Sequence, residues 1–210
     1  MLSFQVLTTI MVVGLLVSEY LENEPGKWIT KPLASTGFIG AAWMAGAWES
    51  PYGRGVLLAL GLCWLGDVLL IPVKKPGIFK AGIFSFLLGH IAFAVAFIIR
   101  GLNGTYCGVA VILLILPARI ILRWLSPSLP AEMRLPVYAY ILVISVMVAL
   151  AAGTLGNNPT LLIPLGAVLF FCSDLSVARD RFITPDFINR FWGLPMYYAA
   201  QLIFAATVIS

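Results

Sequence analysis

A chain of 210 residues that is 61% hydrophobic and only 10% charged, with a mean hydropathy of +1.00, excludes a water-soluble globular domain; those run at roughly 45–50% apolar and 25% charged. The 13 Lys and Arg against 9 Asp and Glu are scattered over short connections, so they mark topology rather than a nucleic-acid partner. Apolar runs of roughly 18 or more residues recur without period-two alternation, which predicts an all-α fold, a polytopic transmembrane helix bundle, and excludes a membrane β-barrel.

The predicted spans are about 4–19, 31–48, 55–73, 78–99, 106–122, 135–152, 161–178 and 187–209, all within one integral-membrane domain covering residues 1–210. Span 1 lacks a basic leader and a small-residue cleavage site, so it reads as a retained helix rather than a signal peptide. Span 2 opens at Lys31-Pro32, where proline suits a first helical turn. Span 3 carries Asp67 inside Leu65-Gly66-Asp67-Val68-Leu69-Leu70, and Lys74-Lys75-Pro76-Gly77 turns the chain into span 4, which holds His90. Span 5 leads into the Pro-rich Ser126-Pro127-Ser128-Leu129-Pro130 connection. Gly156-Asn157-Asn158-Pro159 separates span 6 from span 7, which carries Asp174 inside Phe171-Cys172-Ser173-Asp174-Leu175. Span 8 follows.

Charge tests this count. With eight spans, Lys27, Lys31, Lys74, Lys75, Lys80, Arg119, Arg123, Arg134, Arg179, Arg181 and Arg190 fall on one side, and Arg54 and Arg100 on the other. That bias predicts a cytoplasmic basic side and non-cytoplasmic termini. Asp67 and Asp174 then lie about six and five residues from the cytoplasmic ends of their spans, or roughly 8–9 Å deep. The order of polar residues also admits two parallel four-helix halves: His90 follows Asp67, and Tyr197 follows Asp174, by the same 23 residues.

A carboxylate within a bilayer costs several kcal/mol, so an intramembrane pair points to a functional site. Two carboxyls in a desolvated pocket need not both be ionised, which leaves one acid and one base. The bland reading is a structural pair bonded to neighbouring helices. His90, the single histidine, fits either a core residue bonded to a carbonyl or a group that orients an Asp, a water or the substrate. Tyr197 and Gln201 share a helix face and, with Tyr198, either position a water or glycerol oxygen or pack polar groups between helices. Lys31 either snorkels to lipid headgroups or binds a substrate phosphate. Cys63, Cys107 and Cys172 read as packing residues, with no spacing for a metal, and Trp28, Trp43, Trp48 and Trp192 as an interfacial belt.

Leu65-Gly66-Asp67 with Leu69-Leu70, Phe86 through His90, Ser173-Asp174 with Ala178, and Tyr197-Tyr198-x-x-Gln201 resemble, in that order, the YhhN family of membrane lysoplasmalogenases. Thr30-Lys31-Pro32-Leu33 fits the Lys-Pro that such proteins carry at the start of span 2. One departure is Phe93, where the resemblance leads one to expect a tyrosine. The resemblance implies hydrolysis of the vinyl-ether bond of a lysoplasmalogen to a fatty aldehyde and glycerophosphocholine or glycerophosphoethanolamine. Asp67 and Asp174 would then be catalytic, and His90, Tyr197, Tyr198, Gln201 and Ser173 would position substrate or water. Lys31 would hold the headgroup. No cofactor or metal is implied, and the partners are a lysophospholipid substrate and membrane lipids. A proton-coupled transporter using the same Asp pair and an intramembrane aspartyl protease are the competing readings, though neither Asp sits in a Tyr-Asp or Gly-x-Gly-Asp setting. The compact chain suggests a bacterial inner membrane, with the site opening toward the cytoplasmic leaflet.

Overall fold

A computed structural model describes residues 1–72, 75–156 and 160–209. Lys74 of the expected turn after span 3, and Asn157-Asn158-Pro159 of the turn before span 7, lie outside the described residues. The helices are α1 (Leu2–Tyr20), α2 (Glu24–Met44), α3 (Pro51–Leu69), α4 (Pro76–Arg100), α5 (Gly104–Leu125), α6 (Ala131–Gly153), α7 (Leu162–Phe182) and α8 (Phe187–Ala206), with no strand among the described residues.

The eight expected spans thus correspond to eight helices, of which six (α1, α3, α4, α5, α6 and α7) are long and apolar enough to cross a membrane. The exceptions, α2 and α8, have 21 and 20 residues, so length is not what they lack. They carry Glu24, Lys27 and Lys31 and Asn189, Arg190 and Gln201. Of these, Asn189 and Gln201 are fully buried and Lys31 nearly so, while Glu24 is exposed.

Two expected boundaries move. Helix α2 starts at Glu24 rather than near Lys31, because Asn23 caps it by accepting from the Gly26 amide at 3.2 Å and Pro25 occupies its first turn. Pro32 therefore sits inside the helix, where it removes one backbone hydrogen bond. At the other boundary, α3 stops at Leu69, two residues past Asp67, ahead of Pro72, whereas α7 continues eight residues past Asp174 through Arg179-Asp180-Arg181. Counted from helix ends, the two carboxylates are not at matched positions.

Helices α2, α3, α4, α6, α7 and α8 form a ring, each packed on the next and α8 closing on α2; α1 lies outside against α2 and α8, and α5 outside against α6. The pairings of the first four helices recur in the last four. Thus α1–α2 corresponds to α5–α6, α2–α3 to α6–α7, α3–α4 to α7–α8, and α4–α6 to α8–α2. Phe38, Leu60, Phe93, Phe97, Met147, Phe170 and Phe204 fill the centre with no exposed surface, while α5 turns nearly all of its apolar surface outward.

Close approach of α3 to α4 sets the Asp67 position. A Cβ on Gly66 would meet the Phe86 ring at 2.7 Å, and one on Gly89 would meet the Cys63 sulfur at 2.9 Å. At the end bearing the α1–α2 and α7–α8 connections, Glu19 pairs with Lys27 (3.3 Å) and Arg190 (3.1 Å), and Arg190 also pairs with Asp180 (3.1 Å). These partly buried pairs share Glu19 and Arg190 and together tie α1, α2, α7 and α8.

Candidate active site

Asp67 is 2% exposed and surrounded by donors. Lys31 Nζ lies 3.5 Å from Oδ1, and the hydroxyls of Ser35 and Tyr197 each donate to Oδ2 at 2.7 Å. Tyr198 OH is 3.2 Å from Ser35 Oγ. Since Ser35 has one proton, and the carboxylate is its nearer and charged acceptor, the chain of donation runs Tyr198 to Ser35 to Asp67. One ammonium and two hydroxyl donors suit an ionised carboxylate. At 3.5 Å and an effective dielectric constant of about 20, the Lys31 charge alone contributes an attraction on the order of 5 kcal/mol against the desolvation cost.

Asp174 is held differently. Its side chain keeps 18% exposure, and Tyr140 OH donates to Oδ2 at 2.8 Å. His90 Nε2 lies 3.3 Å from the same oxygen, and the ring is wholly buried. The His90 Nδ1 atom sits 2.7 Å from the Phe86 carbonyl oxygen, an atom that can only accept, so Nδ1 carries a proton. A neutral His90 would then turn a lone pair toward a carboxylate oxygen. The contact is attractive only with a proton in the pair, on Asp174 or on His90 as imidazolium. The 3.3 Å approach satisfies ion-pair distance but not hydrogen-bond geometry, and Nε2 has no other partner among the described residues. Phe170 stacks on the imidazole at 4.3 Å between ring centres, and Tyr140 meets it edge-on at 5.2 Å.

Cys63 joins the two halves of the site. Its buried thiol lies close enough to both Asp67 and Asp174 to feel either charge. Both amide atoms of Gln201 are buried and have no hydrogen-bond partner among the described residues. A buried amide with an unused donor and an unused acceptor, one turn after Tyr197 on α8, is a place for a small polar group or a water.

The residues come together across the halves. Asp67 on α3 takes Lys31 and Ser35 from its own half and Tyr197 from α8, while Asp174 on α7 takes Tyr140 from its own half and His90 from α4. Of the expected site residues, Asp67, Lys31, Tyr197 and Tyr198 form one group, Asp174 and His90 another, and Gln201 stands beside Cys63. Lys31 points its ammonium at Asp67. Ser173 does not join them, because its hydroxyl donates to its own helix at Phe170 O, 2.7 Å away. Phe93 makes apolar contacts alone, with Phe204 at 4.3 Å and Phe170 at 6.3 Å between ring centres. Ser35 and Tyr140 were not singled out in the sequence, and Cys63 was read as packing. Ser35 had one signal, its place four residues after Lys31 on the same helix face.

Residues 26–208 match the model of the YhhN family. The chain belongs to the YhhN family. As such a member it is 29% identical, over 166 residues, to the lysoplasmalogenase TMEM86A of Bos taurus, covering 76% of this chain and 67% of that protein. No solved structure matches this YhhN chain.

Proposed function

We propose that the chain is an intramembrane hydrolase that cleaves the vinyl-ether bond of lysoplasmalogens, with Asp174 as general acid and Asp67 as general base. The observation that carries this reading is the unlike surroundings of the two carboxyls. Asp67 faces a cation and two hydroxyl donors, as an anion requires, while Asp174 meets one hydroxyl donor and has His90 Nε2 at 3.3 Å, an approach that suits a carboxyl carrying a proton. Similarity to a lysoplasmalogenase supplies the substrate class.

An enol ether reacts by protonation at the carbon remote from oxygen. Asp174 gives that proton, the C=C bond becomes C–H, and the ether oxygen shares the positive charge of an oxocarbenium ion. Two carboxyl groups stabilise that cation in a low-dielectric site. A water held at the open amide of Gln201 attacks the carbon bearing oxygen and gives its proton to Asp67. An ion-paired carboxylate is a weak base, but an oxocarbenium ion demands no stronger one. The hemiacetal then collapses: its hydroxyl proton goes to Asp174, the glycerol oxygen takes the proton from Asp67, and the C–O bond breaks. Both carboxyls return to their starting states, and one water has been consumed.

In this reading α2 and α8 also cross the bilayer, completing eight spans in two parallel four-helix halves. Their polar faces turn inward and the basic end faces the cytoplasm of a bacterial inner membrane.

Purified protein is expected to release fatty aldehyde from lysoplasmalogen in an assay coupled to alcohol dehydrogenase. Asp67→Asn and Asp174→Asn should each lower kcat by on the order of 10²-fold or more, with melting temperature retained. Full activity in either variant overturns the mechanism. Transport of protons or solute by reconstituted protein without aldehyde release overturns the function.

A further inference from the structure

A second polar feature lies outside this carboxyl cluster. Between the start of α4, the start of α6 and the end of α7 is a cavity of about 270 Å³, floored by Phe79 and Met133 and walled by Lys80, Glu132, Arg181 and Phe182. Clefts that enclose a whole drug-sized ligand run to roughly 300–1,000 Å³, so this one has room for a headgroup and not for a lipid. Its charges are of both signs. Lys80 Nζ lies 3.4 Å from Glu132 Oε2, with half or more of each side chain exposed, and the Arg181 guanidinium lies over the Phe79 ring at 4.2 Å. Stacking orients the guanidinium while leaving its donors for an anion.

Helical register connects this cavity to the Asp174 side of the site. Arg181 and Asp174 are seven residues apart on α7, Met133 and Tyr140 seven apart on α6, and Phe79 and His90 eleven apart on α4. These spacings are close to two and three whole turns, so on each helix both residues share a face, with the deeper one roughly 10 Å (α6, α7) or 16 Å (α4) inside. All three deeper residues meet at the Asp174 carboxyl. That carboxyl is the more open of the two, at 18% exposure against 3% for Asp67.

We propose that this cavity binds the zwitterionic phospho-headgroup of a single-chain lipid, with Lys80 and Arg181 on the phosphate and Glu132 on the ammonium. The inference rests on the lysoplasmalogenase reading for what happens above the headgroup, but headgroup binding is measurable without turnover. Held there, the phosphate sits below Asp174 by a distance that a glycerol and its flanking oxygens bridge, which brings the sn-1 vinyl ether to the acid. The Lys80–Glu132 pair opens as the ligand's own opposite charges replace it. Lys31, engaged with Asp67, is left to the chemistry.

The test uses three saturated-ether ligands that cannot be hydrolysed, in detergent, with binding read by thermal shift. They are an alkyl-lysophosphocholine, an alkyl-lysophosphatidate that lacks the ammonium, and a headgroup-free alkylglycerol of equal chain length. For Lys80→Gln with Arg181→Gln, the affinity ratio of lysophosphocholine to alkylglycerol should fall about tenfold, the loss of one to two charge-assisted hydrogen bonds. Lys80→Arg with Arg181→Lys should keep most of it. Glu132→Gln should shift preference from lysophosphocholine toward lysophosphatidate. Inorganic phosphate is the fourth probe: competition with lysophosphocholine at equal strength would mean a free-anion site and overturn the assignment. An equal loss for all three lipids would also overturn it, because that is the signature of a damaged fold or tail site. Absence of aldehyde release with the ratio change intact would sink the hydrolase reading and leave the headgroup site standing.

Discussion

Removing the Tyr140 hydroxyl tests which carboxyl is the acid. Tyr140→Phe keeps the ring, hence its edge contact with His90 at 5.2 Å, and deletes only the donor 2.8 Å from Asp174 Oδ2. A hydrogen bond to a neutral group contributes about 0.5–1.5 kcal/mol and one to a charged group about 1.5–3. In the proposed mechanism Asp174 passes from the protonated to the anionic form as it gives up its proton, so the bond would strengthen by about 1–1.5 kcal/mol along the step. If most of that gain is present at the transition state, kcat falls roughly 5–12-fold. An interaction made chiefly in the transition state lowers kcat and kcat/KM together and leaves KM alone. The solvent isotope effect on kcat should also rise, because carbon protonation becomes more fully rate-limiting. Initial rates of aldehyde release in light and heavy water, over a substrate series, give all three quantities. A raised KM with unchanged kcat would make Tyr140 a substrate contact and refute the acid assignment. Tyr198→Phe is the paired control, since its hydroxyl reaches Asp67 only through Ser35, and the expected loss is about two- to threefold, the low end of the worth of a neutral hydrogen bond.

His90→Asn retains an amide donor for the Phe86 carbonyl, which His90 now bonds at 2.7 Å, but removes the nitrogen 3.3 Å from Asp174; kcat should drop by on the order of 10²-fold with melting temperature close to the parent. Unimpaired turnover there would reduce His90 to a packing residue under Phe170. Gly66→Ala places a methyl 2.7 Å from the Phe86 ring and should cost about 1–3 kcal/mol of stability, read as a lower melting temperature in detergent. An unchanged melting point would show that α3 and α4 can part without cost.

Much of this architecture was legible because membrane helices announce themselves by composition. Eight apolar runs became eight helices, and the two carboxylates that stood out against those runs are in the cluster. What the runs concealed were helix starts made of polar residues. Asn23-Glu24-Pro25 is a cap signal, but a hydropathy reading begins the helix at Lys31. Rotation about each helix axis was the second gap. Ser173 adjoins Asp174 in sequence yet bonds its own backbone, whereas Tyr140, thirty-four residues away, supplies the donor. Cys63 had one signal, its place four residues before Asp67 on the same face of α3, but a small thiol packs as an apolar group, and its nearness to Asp174 arises only from the docking of the other helices on α3. Lys31 was visible as a cation at a helix mouth, but whether it turned to lipid or to Asp67 depended on where α3 stopped.

Symmetry in the ring explains how one scaffold makes two unlike carboxyls. Asp67 and Asp174 occupy corresponding helices, α3 and α7, and each is completed by a residue from the opposite half, Tyr197 from α8 and His90 from α4. Corresponding positions therefore carry a phenol in one place and an imidazole in the other. A phenol hydroxyl can donate to its carboxylate and holds its proton; an imidazole already bonded through Nδ1 must share a proton with its partner. Lys31 adds a full positive charge on the Asp67 side alone. In the proposed mechanism the opposite protonation states follow from these differences, together with Ser35 on the Asp67 side and Tyr140 on the Asp174 side. An enol ether needs that inequality, a proton for carbon on one face and an acceptor for water on the other. Neither half of the bundle can assemble it alone.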